Sequence, residues 1–356
     1  MSEIRLMKGN EAIAEAAIRA GCDAYFGYPI TPQSEVMEYL MAERPEKRTG
    51  MIVLQAESEV AAINMVFGAA AAGKRVMTSS SSPGISLKLE GISYIAGADL
   101  PCVILNVARG GPGLGTIQPA QSDYFQAVKG GGHGDYHMLV LAPASVQEMA
   151  DHMPLAFDLA FKYRTPVMIL SDGVIGQTME KVKLFDQMPR STEVPQWAVC
   201  GNAGRKNRII TSLDLDPVKK EQQNLALQAK YQQMRENEVR YEKYLCDDAD
   251  YLMVAYGASA RIAKKSIEYA REKGIKVGLL RPITLFPFPS AVIAELAKKM
   301  KGILSVEMSA GQMVEDVLLA TRQTPQVPVK HFGRYGGVVH SPEEIFEAFL
   351  KHFNLG

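Results

Sequence analysis

Residues 1–170 alternate short apolar runs with helical patterns, and that alternation restricts the chain to a parallel sheet covered by helices on both faces. CDAYFGY reads as a strand and SEVMEYLMAE as a helix. MIVLQ leads into SEVAAINMVFGAAAAG, a helix with small residues on most faces, and KRVMTSS leads into PGISLKLEGISYIAG. PCVILNV enters a long glycine-rich loop, MLVLAP precedes SVQEMADHMPLAFDLAFKY, and PVMILSD closes the series. Sheets of this kind place their chemistry in loops at the carboxyl ends of the strands. YPITPQSE, QAESE, SSSSPG, ARGGPGLG and SDGVIGQ all fall at such ends.

At 356 residues the chain fits two domains with room for a linker. The expected division is an α/β domain over 1–185, a connector over 186–247 and a second α/β domain over 248–356. DQMPRSTEVPQWAVCGNAGRKNR has the proline, glycine and polar content of a connector. The long polar helix DPVKKEQQNLALQAKYQQMRENEVRYEKYL follows it, its charges fitting either a solvated face or a partner-binding one. YLMVAYG, KVGLLRPITLFPF and GILSVEM, with helices between them, form the second unit.

Composition narrows the function. The 39 basic and 39 acidic residues cancel, so no basic footprint for nucleic acid is present. The opening MSEIRLMKGNEAIAEAAIRAG is acidic and amphipathic, unlike a signal peptide, and stretches such as AINMVFGAAAAG fall short of a bilayer span. The expected location is the cytoplasm. Cys22, Cys102, Cys200 and Cys246 are far apart, with no CxxC pair for zinc or an iron–sulfur cluster. If the reaction is redox, this chain does not carry the electrons.

Few residues can carry chemistry. The run Gly110, Gly111, Gly113, Gly115 misses the G-x-G-x-x-G spacing, and no GxxxxGK[ST] occurs. That loop is either plain turn geometry or a place where backbone approaches a ligand. Arg109, ending an apolar strand, is either a surface cap or a planar fork for a carboxylate. His133 and His137 lie in a glycine run, which argues against a shared helix face for metal. Glu59 opens a helix, the ordinary dipole-favoured place for a carboxylate. Thr31 lies between two prolines, Pro29 and Pro32, and the second forces an extended backbone at the threonine.

YPITP, followed by SE-V-A-A with Gly68 nine residues after Glu59, resembles the pyrimidine-binding half of thiamine-diphosphate enzymes. GYPITPQSE, SSSSPG and ARGGPGLG–QSDYFQAVKGGGHGDY are similar, more narrowly, to the alpha subunit of 2-oxoacid:ferredoxin oxidoreductases. The likeness covers the whole chain, including a C-terminal domain like that of transketolases. GGPGLGTIQPAQSDYFQAVKGGGHGDY is most similar to members acting on branched-chain 2-oxoacids such as 3-methyl-2-oxobutanoate (2-oxoisovalerate).

The resemblance implies roles. Tyr28, Pro29, Ile30 and Glu59 would bind thiamine diphosphate, with Glu59 on N1′ of the aminopyrimidine so that the 4′ nitrogen can take the thiazolium proton. Such a carboxyl must share a proton near neutrality, which burial favours, and Val60, Ala61, Ala62 and Ile63 would supply apolar company. Thr31 would hydrogen-bond the 2-oxoacid and Arg109 would hold its carboxylate. No GDG occurs, so a beta subunit would supply the diphosphate and Mg²⁺ site, with iron–sulfur clusters on beta, gamma-type or ferredoxin-like subunits. The implied reaction converts a 2-oxoacid, coenzyme A and oxidised ferredoxin into acyl-CoA, CO₂ and reduced ferredoxin. No basic residue lies between Arg109 and Lys129, which fits an aliphatic substrate. The same chemistry on 2-oxoglutarate or pyruvate, or a non-catalytic assembly role, are the competing readings.

Overall fold

A computed structural model describes residues 3–355. Its largest element is a seven-stranded sheet. Across it run Thr284–Phe286, Leu139–Leu141, Pro166–Asp172, Cys102–Ala108, Val76–Ser80, Ala24–Gly27 and Ile52–Gln55. All neighbours are parallel except Thr284–Phe286, which pairs antiparallel with Leu139–Leu141 at one edge. The chain begins this sheet at Ala24–Gly27, moves outward to Ile52–Gln55, then returns across the first strand to Val76–Ser80. The crossover is the helix Glu59–Ala71, which packs on Ser82–Gly97. Strand order therefore reverses around Ala24–Gly27, and a ligand crevice is expected at the carboxyl ends there.

The strands Val76–Ser80, Cys102–Ala108 and Pro166–Asp172 are buried throughout. A parallel strand covered on both faces reads as a continuous apolar run, which explains CVILNVA. It does not explain VMTSS, whose hydroxyls are also buried and need partners.

A second sheet runs Val329–Gly333, Gly302–Glu307, Tyr251–Val254, Val277–Pro282 and Tyr241–Tyr244, with the last antiparallel. Side chains alternate across it. Leu252, Val254 and Ile303 join the main core, while Met253, Leu304 and Val306 pack with Ile267, Ile345 and Phe349 from the helices Gly257–Glu272 and Pro342–Phe353. A separate antiparallel ribbon pairs Glu3–Lys8 with Met179–Leu184.

The segment between the two sheets lies against the first unit. Met188 donates its N–H to the Arg19 carbonyl and Val199 to that of Ala71. The helix Pro217–Asn237 starts on Asp216, whose carboxylate caps the N–H groups of Val218 and Lys219, with proline next in line. Its mostly polar surface hides one stripe: Leu227, Tyr231 and Met234, spaced by four and three, are buried. Gln223 and Gln228 donate to the carbonyls of Gly97 and Asp135, so the helix is strapped along the first unit.

Polar junctions join the sheets, among them one centred on Arg281 and one on Gln121. Arg281 forks onto both Glu148 oxygens at 2.8 and 2.7 Å and reaches Glu242 at 2.8 Å. Gln121, from the segment after the glycine loop, donates to the Tyr256 carbonyl and accepts from Ser259 and the Met308 N–H. Gln121→Leu leaves three buried groups unpaired and is expected to destabilise the chain by about 2–4 kcal/mol, read as a lower midpoint of urea unfolding.

Candidate active site

Three loops meet above the reversal point. The first is the YPITP turn. Beneath it Tyr25 Oη shares a hydrogen bond of 2.7 Å with Ser79 Oγ, Ser79 donates to Gln33 Oε1 at 2.5 Å, and Gln33 Nε2 donates to the Tyr28 carbonyl at 3.1 Å. Burial pushes the Tyr25 phenol up to about 12, so it stays protonated. From the side, Asn10 and Gln177 donate to the Pro32 carbonyl. The turn is thus pinned through its backbone, leaving Thr31 and Pro29 exposed and Tyr28 and Ile30 half-buried.

The second loop begins at Arg109, which is buried. One guanidinium nitrogen donates to the Thr31 carbonyl at 2.8 Å and the other to the Leu114 carbonyl at 3.0 Å, while Nε is buried without a partner. The structure therefore joins Thr31 and Arg109 directly and ties the turn to the glycine loop. Gly115 has φ +59°, and a Cβ there would lie 1.8 Å from the Gly110 carbonyl oxygen, so the loop closes only with glycine.

The third loop is SSSSPG. Ser82 Oγ donates to Asp123 Oδ2 at 2.7 Å and accepts the Arg109 N–H at 3.0 Å. Asn106 Nδ2 donates to the same Asp123 oxygen at 2.8 Å, and its Oδ1 takes the Ser82 N–H at 3.2 Å. Burial raises the Asp123 carboxyl above its usual range, with the Asn106 and Ser82 donors opposing it. Ser80 and Ser81 keep buried hydroxyls with no partner.

Glu59 opens the helix Glu59–Ala71 after the cap Ser58, whose hydroxyl accepts the Ala61 N–H. Its side chain is only 6% exposed, and among the described residues no hydrogen bond reaches its carboxylate. The enclosure differs from the expected one. Val60 points outward at 46% exposed, because consecutive helix positions face different ways. The carboxylate lies instead over Gly84: a Cβ there would stand 2.7 Å from Glu59 Oε1 and 2.1 Å from Ser80 Oγ. Glycine at 84 makes room for the acid.

Sequence patterns alone left several members unseen. Gln33, Asn106, Asp123 and the serine hydroxyls have no motif of their own and acquire meaning only from the loops they join. Lys88 did leave a signal. It falls on the stripe Ile85, Lys88, Ile92, Ile95 of the helix Ser82–Gly97, where every position is buried. His137 stacks on Phe286 with ring centroids 4.3 Å apart, away from these loops.

A buried acid against a glycine, two orphaned hydroxyls and an arginine Nε without a partner together fit a polar ligand entering from the strand ends. They suit an aminopyrimidine ring at Glu59. Residues 15–244 match the family described as pyruvate flavodoxin/ferredoxin oxidoreductase, thiamine diphosphate-binding, and residues 249–345 match pyruvate:ferredoxin oxidoreductase core domain II. The chain belongs to the thiamine-dependent 2-oxoacid:ferredoxin oxidoreductases, as an alpha-type chain. It is 56% identical over 317 residues to the ketoisovalerate oxidoreductase subunit VorB of Methanothermobacter thermautotrophicus, covering 89% of this chain and 90% of that one. It is 34% identical to the 2-oxoglutarate synthase subunit KorA of Methanocaldococcus jannaschii, covering 98% of this chain and 100% of the other. The 2-oxoglutarate:ferredoxin oxidoreductase of Magnetococcus marinus, solved with 2-oxoglutarate, coenzyme A and succinyl-CoA, superposes with a TM-score of 0.86 at 26% identity. That match covers 99% of this chain and 66% of that chain. A split-gene transketolase shares the fold at a TM-score of 0.62 and 14% identity. Among the described residues, no helix is long and apolar enough to cross a membrane.

Gly84→Ala is expected to displace the Glu59 carboxylate in a crystal structure and to cost about 1–3 kcal/mol in denaturant unfolding.

Proposed function

We propose that this chain is the alpha subunit of a cytoplasmic enzyme that oxidatively decarboxylates 3-methyl-2-oxobutanoate with coenzyme A, giving acyl-CoA, CO₂ and reduced ferredoxin. The observation that carries the mechanism is the Glu59 carboxylate, buried over Gly84 and free of hydrogen bonds among the described residues. Thiamine diphosphate, when bound, supplies the carbon nucleophile and the electron sink. Glu59 then holds and returns one proton at the aminopyrimidine N1′, a task suited to a desolvated carboxyl. Tyr28, Pro29 and Ile30 give that ring a rigid wall, because Gln33 fixes the Tyr28 carbonyl from below.

Thr31 and Arg109 serve the substrate. The Thr31 hydroxyl faces outward from a turn whose carbonyl is fastened by Arg109. Arg109 spends two of its five N–H donors on the Thr31 and Leu114 carbonyls, and the remaining ones, the unpartnered Nε among them, are left to address a substrate carboxylate. Beside Thr31 lies a cavity of about 530 Å³ whose apolar walls include Pro32, Ile117, Pro119 and Val174. No lysine or arginine lines it, and its one charged lining residue is Glu35. Burial pushes Glu35 up, but hydrogen bonds from Gln177 and Asn10 and the charge of Lys8 hold it below its ordinary value. Lys8 pairs with Glu35 at 3.5 Å, so the support for a branched alkyl group comes from the apolar walls of the cavity. The 56% identity to the ketoisovalerate subunit, against 34% to a 2-oxoglutarate subunit, favours the same reading.

The rest of the site belongs to partners. A beta subunit supplies the diphosphate and Mg²⁺ contacts, for which this chain has no GDG segment. Iron–sulfur clusters sit on that subunit or on gamma-type and ferredoxin-like ones, since the four cysteines here are scattered free thiols. Free thiols also suit a reducing compartment.

Co-expression with the beta-type chain, followed by viologen reduction with coenzyme A and a panel of 2-oxoacids, tests this directly. Activity should require both chains and favour 3-methyl-2-oxobutanoate over 2-oxoglutarate in kcat/KM. Branched acids that differ by one methylene should separate by only about 10–200-fold. Preference for 2-oxoglutarate would overturn the substrate and leave the chemistry. Glu59→Gln should co-purify with its partner yet lose about 10²–10⁴-fold in turnover, and near-native turnover would remove Glu59 from the mechanism.

A further inference from the structure

Lys88 is the one lysine among the described residues with no exposed surface and a place in the buried core. It follows Gly84 by four positions on the helix Ser82–Gly97, so the two share a face, the face over which the Glu59 carboxylate lies. Its amine is fixed from behind, donating to Thr78 Oγ1 at 2.6 Å and to the Ser79 carbonyl at 3.0 Å. An ammonium has three donors, so one remains uncommitted. Lys88 forms no direct ion pair among the described residues, yet Glu59 acts on it through space. Burial lowers its pKa to about 7, and the Glu59 charge is the chief opposing influence. The other titratable group acting on it, the Cys102 thiol on the adjoining strand, is itself pushed up to about 12 by burial and stays neutral. The Tyr25 phenol, which shares Ser79, is protonated as well.

A lysine in the stripe Ile85, Lys88, Ile92, Ile95 is costly to desolvate, and leucine or methionine would pack there without that penalty. We infer that Lys88 is a positioning residue for Glu59: the buried amine, anchored to the strand end, sets how readily the Glu59 carboxyl takes up and releases its proton. This rests on the reading of Glu59 as the proton-holding acid. A nearby cation favours a carboxylate over its protonated form. The coupling is reciprocal, so each charge must move the other's titration by the same amount.

The test uses the full chain in complex with its beta-type partner, labelled with ¹⁵N at the lysine side-chain nitrogens. Lys88 is recognised as the lysine signal that titrates near neutrality. In Glu59→Gln its midpoint should fall by about one pH unit or more, a tenfold loss of proton affinity. An unchanged midpoint overturns the proposal. In a second arm, exchange of the thiamine C2 proton for deuterium is followed against pH in the loaded complex. Lys88→Met, nearly equal in volume, should move the acid limb of that profile upward by a similar amount. It should add nothing in the Glu59→Gln background. An unmoved acid limb in Lys88→Met overturns the proposal, and if that variant fails to fold the lysine titration decides. The underlying reading fails separately: Glu59→Gln would then exchange at the native rate. Collapsed exchange in Glu59→Gln with an unmoved Lys88 titration defeats only the role of Lys88.

Discussion

A strand covered on both faces holds polar groups at a cost unless they find partners, and Val76–Ser80 is such a strand, its Thr78 and Ser79 hydroxyls paired and its Ser80 hydroxyl without a partner. How those hydroxyls are satisfied organises the region above. Thr78 and the Ser79 carbonyl take the Lys88 amine, and Ser79 Oγ takes Tyr25 and Gln33. Just beyond the strand, Ser82 takes Asp123 and the Arg109 backbone. One strand end thereby sets the YPITP turn through Gln33, the glycine loop through Arg109 and the helix Ser82–Gly97 through Lys88. Networks of this kind fix geometry because every member loses its partner if one moves.

Charge is handled differently here from elsewhere in the molecule. Away from the strand ends, buried ions neutralise one another directly: Glu15 sits between Arg19 and Arg48, and Arg281 between Glu148 and Glu242. At the strand ends Glu59, Lys88, Arg109 and Asp123 are each buried, and none forms an ion pair among the described residues. Arg109 rests on carbonyls, Lys88 on a hydroxyl and a carbonyl, and Asp123 on a hydroxyl and an amide. Charges held on dipoles keep their fields directed at whatever enters the crevice, where paired ions would cancel. That contrast is what the roles proposed for Glu59 and Arg109 would require.

Much of this was legible in the sequence because the strand–helix alternation is strong and the loops are conspicuous. YPITP, SSSSPG and ARGGPGLG stand out in composition, and they do lie together at the carboxyl ends of adjacent strands. The enclosure of Glu59 was not legible. Its packing surface is Gly84, twenty-five positions away, and sequence neighbours such as Val60 turn outward once the helix forms. The strands Tyr241–Tyr244 and Thr284–Phe286 were equally hard to place. Each is short, and each pairs with a sheet decided by distant residues: Tyr241–Tyr244 extends the second sheet and Thr284–Phe286 the first. Local pattern reports whether a segment is extended, not which edge it will meet.

The strand Thr284–Phe286 also orders events in time. Leu139–Leu141 is the edge of the first sheet until that strand arrives, and an open edge is a template for pairing with another chain. During synthesis the N-terminal unit can collect its parallel strands early, but this border stays open until most of the polypeptide has left the ribosome. A nascent chain stalled between the two sheets would therefore present its unfinished margin to its neighbours on the polysome. Cutting the gene at the apparent boundary between the units would make that transient state permanent.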